Sequence, residues 1–302
     1  MKSTHEVRAV MMVAVAVTGF LGISVAGAAA TVETEPIVIA GGSIPERDGA
    51  TVTDLGLFRW SLAEGFVPIP FQIDERVDHT FNVGTEYEFT YNVHDVYGEE
   101  DGTLDADDEL VFLFSSAGEQ APAGETPPAG ADGTRHEIEV TDVTGEVATP
   151  RYVYLFSGTG LATSTEMMIT WAGGPSSSID TAAYGVDFDD PWLLTGYRVK
   201  SPCGDGADLI DRFKGRAGLA VNQSESEEVW NVTAIFMGEI VGPVRALRYI
   251  QGAASGVNTI HYDAFYPDLW ERQYQLRVHS VSDLWIYLDW LPGRVDTMYS
   301  PR

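Results

Sequence analysis

The sequence predicts an all-β protein, an antiparallel β-sandwich arranged as one large sandwich or two smaller ones. Three observations predict it. Short runs rich in Val, Ile, Tyr, Phe, Trp and Thr recur along the chain. Gly, Pro, Asn and Asp punctuate them, and almost no stretch holds the 3.6-residue period of an amphipathic helix. No fixed-period repeat is visible, which argues against a propeller or solenoid.

Residues 1–30 read as an export leader: Lys2 and Arg8 precede an apolar run from Ala9 to Val25 that closes on the small residues 26–30. Cleavage after Ala28 or Ala30 fits a small-x-small site, and an uncleaved leader is the one membrane attachment the sequence offers. The expected location is therefore secreted or periplasmic, with residues 31–302 as the β-sandwich domain.

Within that domain the first strands fall at 37–40, 53–57, 67–73, 86–93 and 110–114. The fourth is the clearest, because Tyr87, Phe89, Tyr91 and Val93 alternate with Glu86, Glu88, Thr90 and Asn92, the period of a half-buried strand. Residues 115–133 are Gly-, Pro- and Ala-rich and poor in large apolar side chains, and read as a mobile loop inside the domain. Further strands are expected at 136–141, 152–157, 167–171, 197–200, 219–221, 228–237, 246–251, 259–266, 273–279 and 285–290.

The chain carries 45 acidic against 18 basic residues, a net charge of −27. Beyond the leader its lysines are Lys200 and Lys214, so it lacks the clustered cations that grip a phosphate backbone, and nucleic acid is excluded as a partner. Anionic membrane surfaces are disfavoured for the same reason. The single cysteine, Cys203, cannot form an internal disulfide, so stability must come from burial and bound metal.

Metal points to Asp95–Phe114, an acidic loop around Gly102 that runs into an apolar strand. With Gly102 at the sixth place of a twelve-residue calcium loop, Glu99, Asp101, Asp105 and Asp108 fall at the third, fifth, ninth and twelfth. Thr103 offers its carbonyl at the seventh and Leu104 is the apolar eighth. A hard dication wants six to eight oxygens, and a tight turn lets alternate residues point inward. Asp95 is a substitute first ligand if the loop bulges, and Glu109 an extra bidentate group. The expected cofactor is Ca2+, against the plainer reading of a solvated acidic turn.

This loop resembles the calcium loops of EF-hand and dockerin modules. It departs from them in having Tyr97 at the first place, Asp108 at the twelfth and strand-like flanks, so a cation loop is implied and a helix-loop-helix fold is not. A second resemblance rests on Val67-Pro-Ile-Pro-Phe-Gln72-Ile-Asp74 together with Asp101–Phe112. The pair is similar to stretches in secreted β-sandwich proteins of bacterial polysaccharide breakdown, which implies an extracellular polysaccharide as partner and carries over no catalytic residue.

Chemistry in the second half centres on Arg245, Arg248, His261, Tyr262 and Asp263. Tyr262 or His261 would remove the proton beside a uronate carboxylate while Arg248 neutralises the developing charge, as a polysaccharide lyase requires. Alternation puts His261 and Asp263 on one face and Tyr262 and Tyr266 on the other. Tyr262, Tyr266, Trp270, Trp285 and Trp290 read first as core and second as a sugar-stacking platform. Asp187, Asp189 and Asp190 form a second carboxylate cluster, and Asn222 and Asn231 stand in glycosylation patterns. No His-x-x-x-His, Gly-x-Ser-x-Gly or phosphate-cradling glycine motif is present. The leading expectation is a calcium-stabilised protein that recognises carbohydrate; the alternatives are a uronate lyase and a calcium-dependent surface or structural assembly protein.

Overall fold

The computed structural model describes residues 35–83, 87–141, 149–189, 191, 193–219, 221–226, 234–251, 259–276 and 282–295. The leader, the turn at 252–257 and Asn231 lie outside them. The described chain forms two compact units: one reaches to His79 and resumes from Tyr91 to Met167, the other holds Thr80–Thr90 and everything from Met168 onward. Both units are all-β, as the sequence predicts.

The first unit is built from β1 (Pro36–Ala40), β2 (Leu55–Ser61), β3 (Gly65–Pro68), β4 (Gln72–Asp74), the start of β5 (Arg76–Val83), the end of β6 (Tyr87–His94), β7 (Glu109–Leu113), β8 (His136–Thr141) and β9 (Pro150–Ser157). Antiparallel sheets of order β1-β7-β4 and β3-β2-β9-β8 face each other, while β5 and β6 pair as a hairpin. Ile39, Leu110 and Phe112 from one sheet meet Leu55, Leu57, Ile138, Val153 and Leu155 from the other. Strand β7 lies centrally with Val111 and Phe112 both buried, which is why it reads as an unbroken apolar run rather than an alternation. The expected strand at 67–73 is split into β3 and β4, since Pro68 and Pro70 leave gaps in any ladder.

Residues 115–133, the expected mobile loop, carry a short 3-10 turn and isolated bridges but no strand. Gly118 bridges Tyr152 and Ala131 bridges Gly158, and Ala117 and Ala121 are buried. Small residues made the segment look unpackable, yet they are what allow it to lie flat against a sheet: a Cβ on Gly118 would stand 2.5 Å from the Trp60 carbonyl oxygen.

The second unit contains β10 (Ile169–Ala172), β11 (Ser178–Thr181), β12 (Tyr184–Asp189), β13 (Leu193–Val199), β14 (Ile210–Leu219), β15 (Val221–Ser226), β16 (Ile235–Val241), β17 (Ala246–Gln251), β18 (Thr259–Phe265), β19 (Trp270–Leu276) and β20 (Ser282–Trp290). Three antiparallel sheets result, in the orders β10-β11-β12-β13, β15-β14-β20 and β16-β17-β18-β19. Ile179, Val186, Phe188, Leu194 and Tyr197 of the first pack on Ala246, Phe265 and Trp270 of the last. The strand expected at 219–221 falls where β14 ends and β15 begins, with Leu219 paired to Val221. Among the described residues no helix is long and apolar enough to cross a membrane.

Candidate metal centre

The acidic loop leaves β6 at Asp95 and enters β7 at Glu109. Two glycines bend it in the left-handed region, Gly98 at φ 71° and Gly102 at φ 79°, the second at the place where a calcium loop turns most sharply. Leu104, the apolar eighth residue, is buried in the main core. The loop is clamped from outside by the segment between β1 and β2. Gly41 N donates to Asp108 O at 2.8 Å, Gly42 N to Ala106 O at 2.8 Å, Leu104 N to Ala50 O at 2.8 Å and Val52 N to Gly102 O at 2.9 Å.

The loop carboxylates divide into organisers and an unneutralised group. Asp95 is an organiser: its Oδ1 accepts from Tyr97 N at 3.0 Å and Glu99 N at 3.1 Å, and its Oδ2 from Glu100 N at 3.1 Å. Burial pushes its carboxyl up, but these amides outweigh burial and hold its pKa below the usual value. Asp101 Oδ1 likewise accepts from Thr103 Oγ1 at 2.5 Å and Thr103 N at 2.9 Å, and the hydroxyl bond foremost lowers its pKa.

Glu99 and Glu109 turn elsewhere. Glu99 Oε2 lies 3.1 Å from His79 Nδ1, and His79 stacks on Tyr97 with ring centroids 3.9 Å apart. Glu109 is bound on both oxygens, by Arg76 Nη1 at 2.8 Å and by His94 Nε2 at 3.0 Å. A carboxylate already neutralised by a guanidinium is a poor bidentate ligand, so the role expected of Glu109 passes from it. Tyr97, at the vacant first place, has its phenol pushed up to about 12 by burial and by Glu99.

The unneutralised group is Asp108, Glu100 and a residue the sequence reading missed, Glu75. Asp108 is buried, accepting from Arg76 N at 2.8 Å and Asp105 N at 2.6 Å. Burial nonetheless raises its pKa, with Asp107 and Asp105 adding repulsion. Glu75 is raised by burial first and then by Asp108, Asp95 and Asp101, against an opposing bond from the Gly102 amide. Its Oε1 is buried without a hydrogen-bond partner among the described residues. Glu100 is raised by burial, Asp108, Asp105, Asp107 and Asp95. As the side chains stand, no three His, Cys, Asp or Glu residues among those described converge closely enough to enclose an ion.

The two stretches behind the polysaccharide resemblance are neighbours in space. Strand β4 pairs with β7 in the register Gln72–Val111, Ile73–Leu110 and Asp74–Glu109. Gln72 Nε2 donates to both Asp74 oxygens at 2.8 and 2.9 Å, and Arg76 ties the same end to Asn92 and Glu109. The signal for Glu75 was its position directly after Asp74.

The expected catalytic set lies in the interior of the second unit. Arg248 and His261 are both 0% exposed. On β16, β17, β18 and β19 the register lines up Glu239, Arg248, Asp263 and Arg272 across one sheet face. Arg248 Nη1 donates to Pro191 O at 2.7 Å and Nη2 to Pro175 O at 2.7 Å, with its guanidinium 4.3 Å over the Phe188 ring. Asp263 accepts from Arg272 Nε at 2.6 Å, Arg272 Nη2 at 2.9 Å and Trp270 Nε1 at 3.0 Å. His261 is held neutral, its pKa driven well below the ordinary value by burial and by Arg272 and Arg248. A base and a charge-neutralising group must reach the substrate, and these two side chains are sealed from solvent. Tyr262 is on the opposite face, half-buried and stacked on Tyr249 at 5.0 Å, so the three residues do not share one site.

Two of the remaining aromatic candidates belong to the core. Trp270 and Tyr266 are buried. Asp187 is paired with Arg198 and accepts from Ser178 Oγ at 2.8 Å, while Asp189 is exposed and Asp190 lies outside the described residues. Cys203 is exposed. No protein-family model matches the chain, and neither a curated protein nor a solved structure does.

Proposed function

We propose that this is an exported all-β protein which binds Ca2+ in the loop 95–109 as a structural ion and recognises extracellular carbohydrate. One observation carries the cation half: Glu75, Glu100 and Asp108 are each pushed up in pKa, by burial first and then by neighbouring carboxylates, around a glycine turn that supplies no cationic side chain of its own. Adding a dication relieves that repulsion, which is the energetic condition for tight binding. The ligand set this favours is Glu75, Glu100, Asp101, Asp105 and Asp108 with the Thr103 carbonyl, in place of Glu99 and Glu109. The carbohydrate half is supported by the paired motif stretches and by an aromatic sheet face in the first unit. The lyase alternative loses its support with the burial of Arg248 and His261.

Calcium titration of the metal-stripped protein tests the cation half. Ligand at about a hundredfold over its dissociation constant adds about 2.7 kcal/mol of stability, so the melting temperature should rise with Ca2+. The rise should vanish in Glu75→Gln with Asp101→Ala. A melting temperature indifferent to Ca2+ in the unsubstituted protein would reduce the loop to an acidic turn. Calcium-dependent oligomers with no affinity for any glycan would favour the assembly reading.

A further inference from the structure

The sheet β3-β2-β9-β8 has a second face, turned away from the main core, that carries Phe58, Trp60, Phe66, Tyr152, Tyr154 and Phe156. The rings meet edge to face, Phe66 with Tyr154 at 5.1 Å and with Phe156 at 5.2 Å, and Phe58 with Phe156 at 5.6 Å. What covers them is small. Residues 118–131 contribute Ala121 and Ala131 to the cluster, with Leu161 beside them. The covering segment itself thus offers the rings only small side chains, although Phe58, Tyr154 and Phe156 are sealed from solvent.

Beneath the cover, Trp60 Nε1 is buried with no acceptor among the described residues. An indole N–H in that position ordinarily finds a partner, and leaving it bare is costly. The cover is held mainly at its ends. At the first, Glu119 N donates to Trp60 O at 2.9 Å and Ala121 N to Tyr154 Oη at 2.6 Å. At the second, Asp132 N donates to Ser157 O at 2.8 Å, and a polar latch adds Arg47 Nη1 to Ser157 Oγ at 2.6 Å and Ser157 Oγ to Asp132 Oδ2 at 2.5 Å. Glu137 and Glu139 line the open side, the latter accepting from Tyr152 Oη at 3.0 Å.

We propose that residues 118–132 are a strap which swings off this ring face to admit an uncharged glycan, a step that rests on the carbohydrate reading and narrows it. Sugar rings present C–H faces that stack on Phe66 and the tyrosines, and a sugar hydroxyl accepts the hydrogen bond that Trp60 Nε1 lacks. Glu137 is paired with Arg135, so the repulsion of uronates and sulfated sugars comes from Glu139 and the chain's overall negative charge. The Arg47–Ser157–Asp132 latch sets the closing energy, so weakening it raises the population of the open form and the apparent affinity together.

The test is amide hydrogen exchange of the full chain with cellohexaose, xylohexaose, N-acetylchitohexaose and hexagalacturonate, alongside binding calorimetry. Binding of a neutral oligosaccharide should speed exchange of the Glu119, Ala121 and Asp132 amides. Asp132→Asn should bind it roughly fivefold more tightly as the open population grows, and Phe66→Ala should abolish binding. Binding by Asp132→Asn alone also supports the strap, as a closed state too stable in the unsubstituted protein. Neutral-sugar binding with unchanged strap exchange and unchanged affinity in Asp132→Asn overturns this inference while leaving the carbohydrate reading intact. Preference for hexagalacturonate overturns the uncharged class. Binding of nothing by either protein removes both.

Discussion

Single residues decide how firmly the acidic loop is held. A Cβ on Gly41 would lie 1.9 Å from the Asp105 carbonyl oxygen, so Gly41→Ala must push the loop off its clamp. The expected loss is about 1–3 kcal/mol, the usual cost of overpacking a tight contact, read as a lower urea midpoint for the first unit. An unchanged midpoint would mean the loop yields freely. His261 sets a pH dependence in the second unit. Its folded pKa is depressed by burial, Arg272 and Arg248, so below the unfolded value of about 6.5 the unfolded chain binds a proton that the folded one refuses. Stability should therefore fall as pH drops through 6.5, and His261→Gln should flatten that limb in melts taken between about pH 7 and 5. A limb identical in the two proteins would assign the acid sensitivity to other groups. At this scale the sequence was readable where chemistry is local, as at Gly102 and Leu104. It was opaque where a partner comes from afar: nothing near Glu109 announces that Arg76 and His94 will claim it.

Among the elements, alternation was the dependable guide. Strand β6 forms where the alternation places it, with Glu88 and Thr90 exposed and Val93 buried, although His94 beside it is buried as well. Strands β11 and β12 were missed because Asp180, Gly185, Asp187 and Asp189 gave them the composition of turns; Arg198 on β13 and Lys200 just after it pair with Asp187 and Asp180. The polar row across β16–β19 was also legible only as residue types. Register turns it into one ladder, and burial makes it costly to break. Asp263→Ala should destabilise the second unit by about 3–5 kcal/mol, because it strands Arg248 and Arg272 in an apolar layer. Urea unfolding checks this, and a loss below about 1 kcal/mol would show that the two guanidiniums are satisfied without it.

For the whole molecule, charge is the dominant fact. A net charge of −27 with few cations to offset it makes the compact state repel itself. Screening over a Debye length of about 10 Å at 0.1 M salt should relieve this. Calorimetric melting should therefore move upward with NaCl in the absence of Ca2+. A downward shift would mean that pairs such as Asp187–Arg198 outweigh the general repulsion. The reach of Arg248 bears on how the second unit assembles. Its donors close on Pro191 and Pro175, 57 and 73 residues earlier in the chain. Such contacts reward the chain only after long loops have been closed. The β10–β13 sheet can thus form its hairpins early, but the turns at Pro175 and Pro191 acquire their final tether only when β17 arrives, making this buried cation a late fastener whose loss would show in the rate of unfolding more than in the rate of folding.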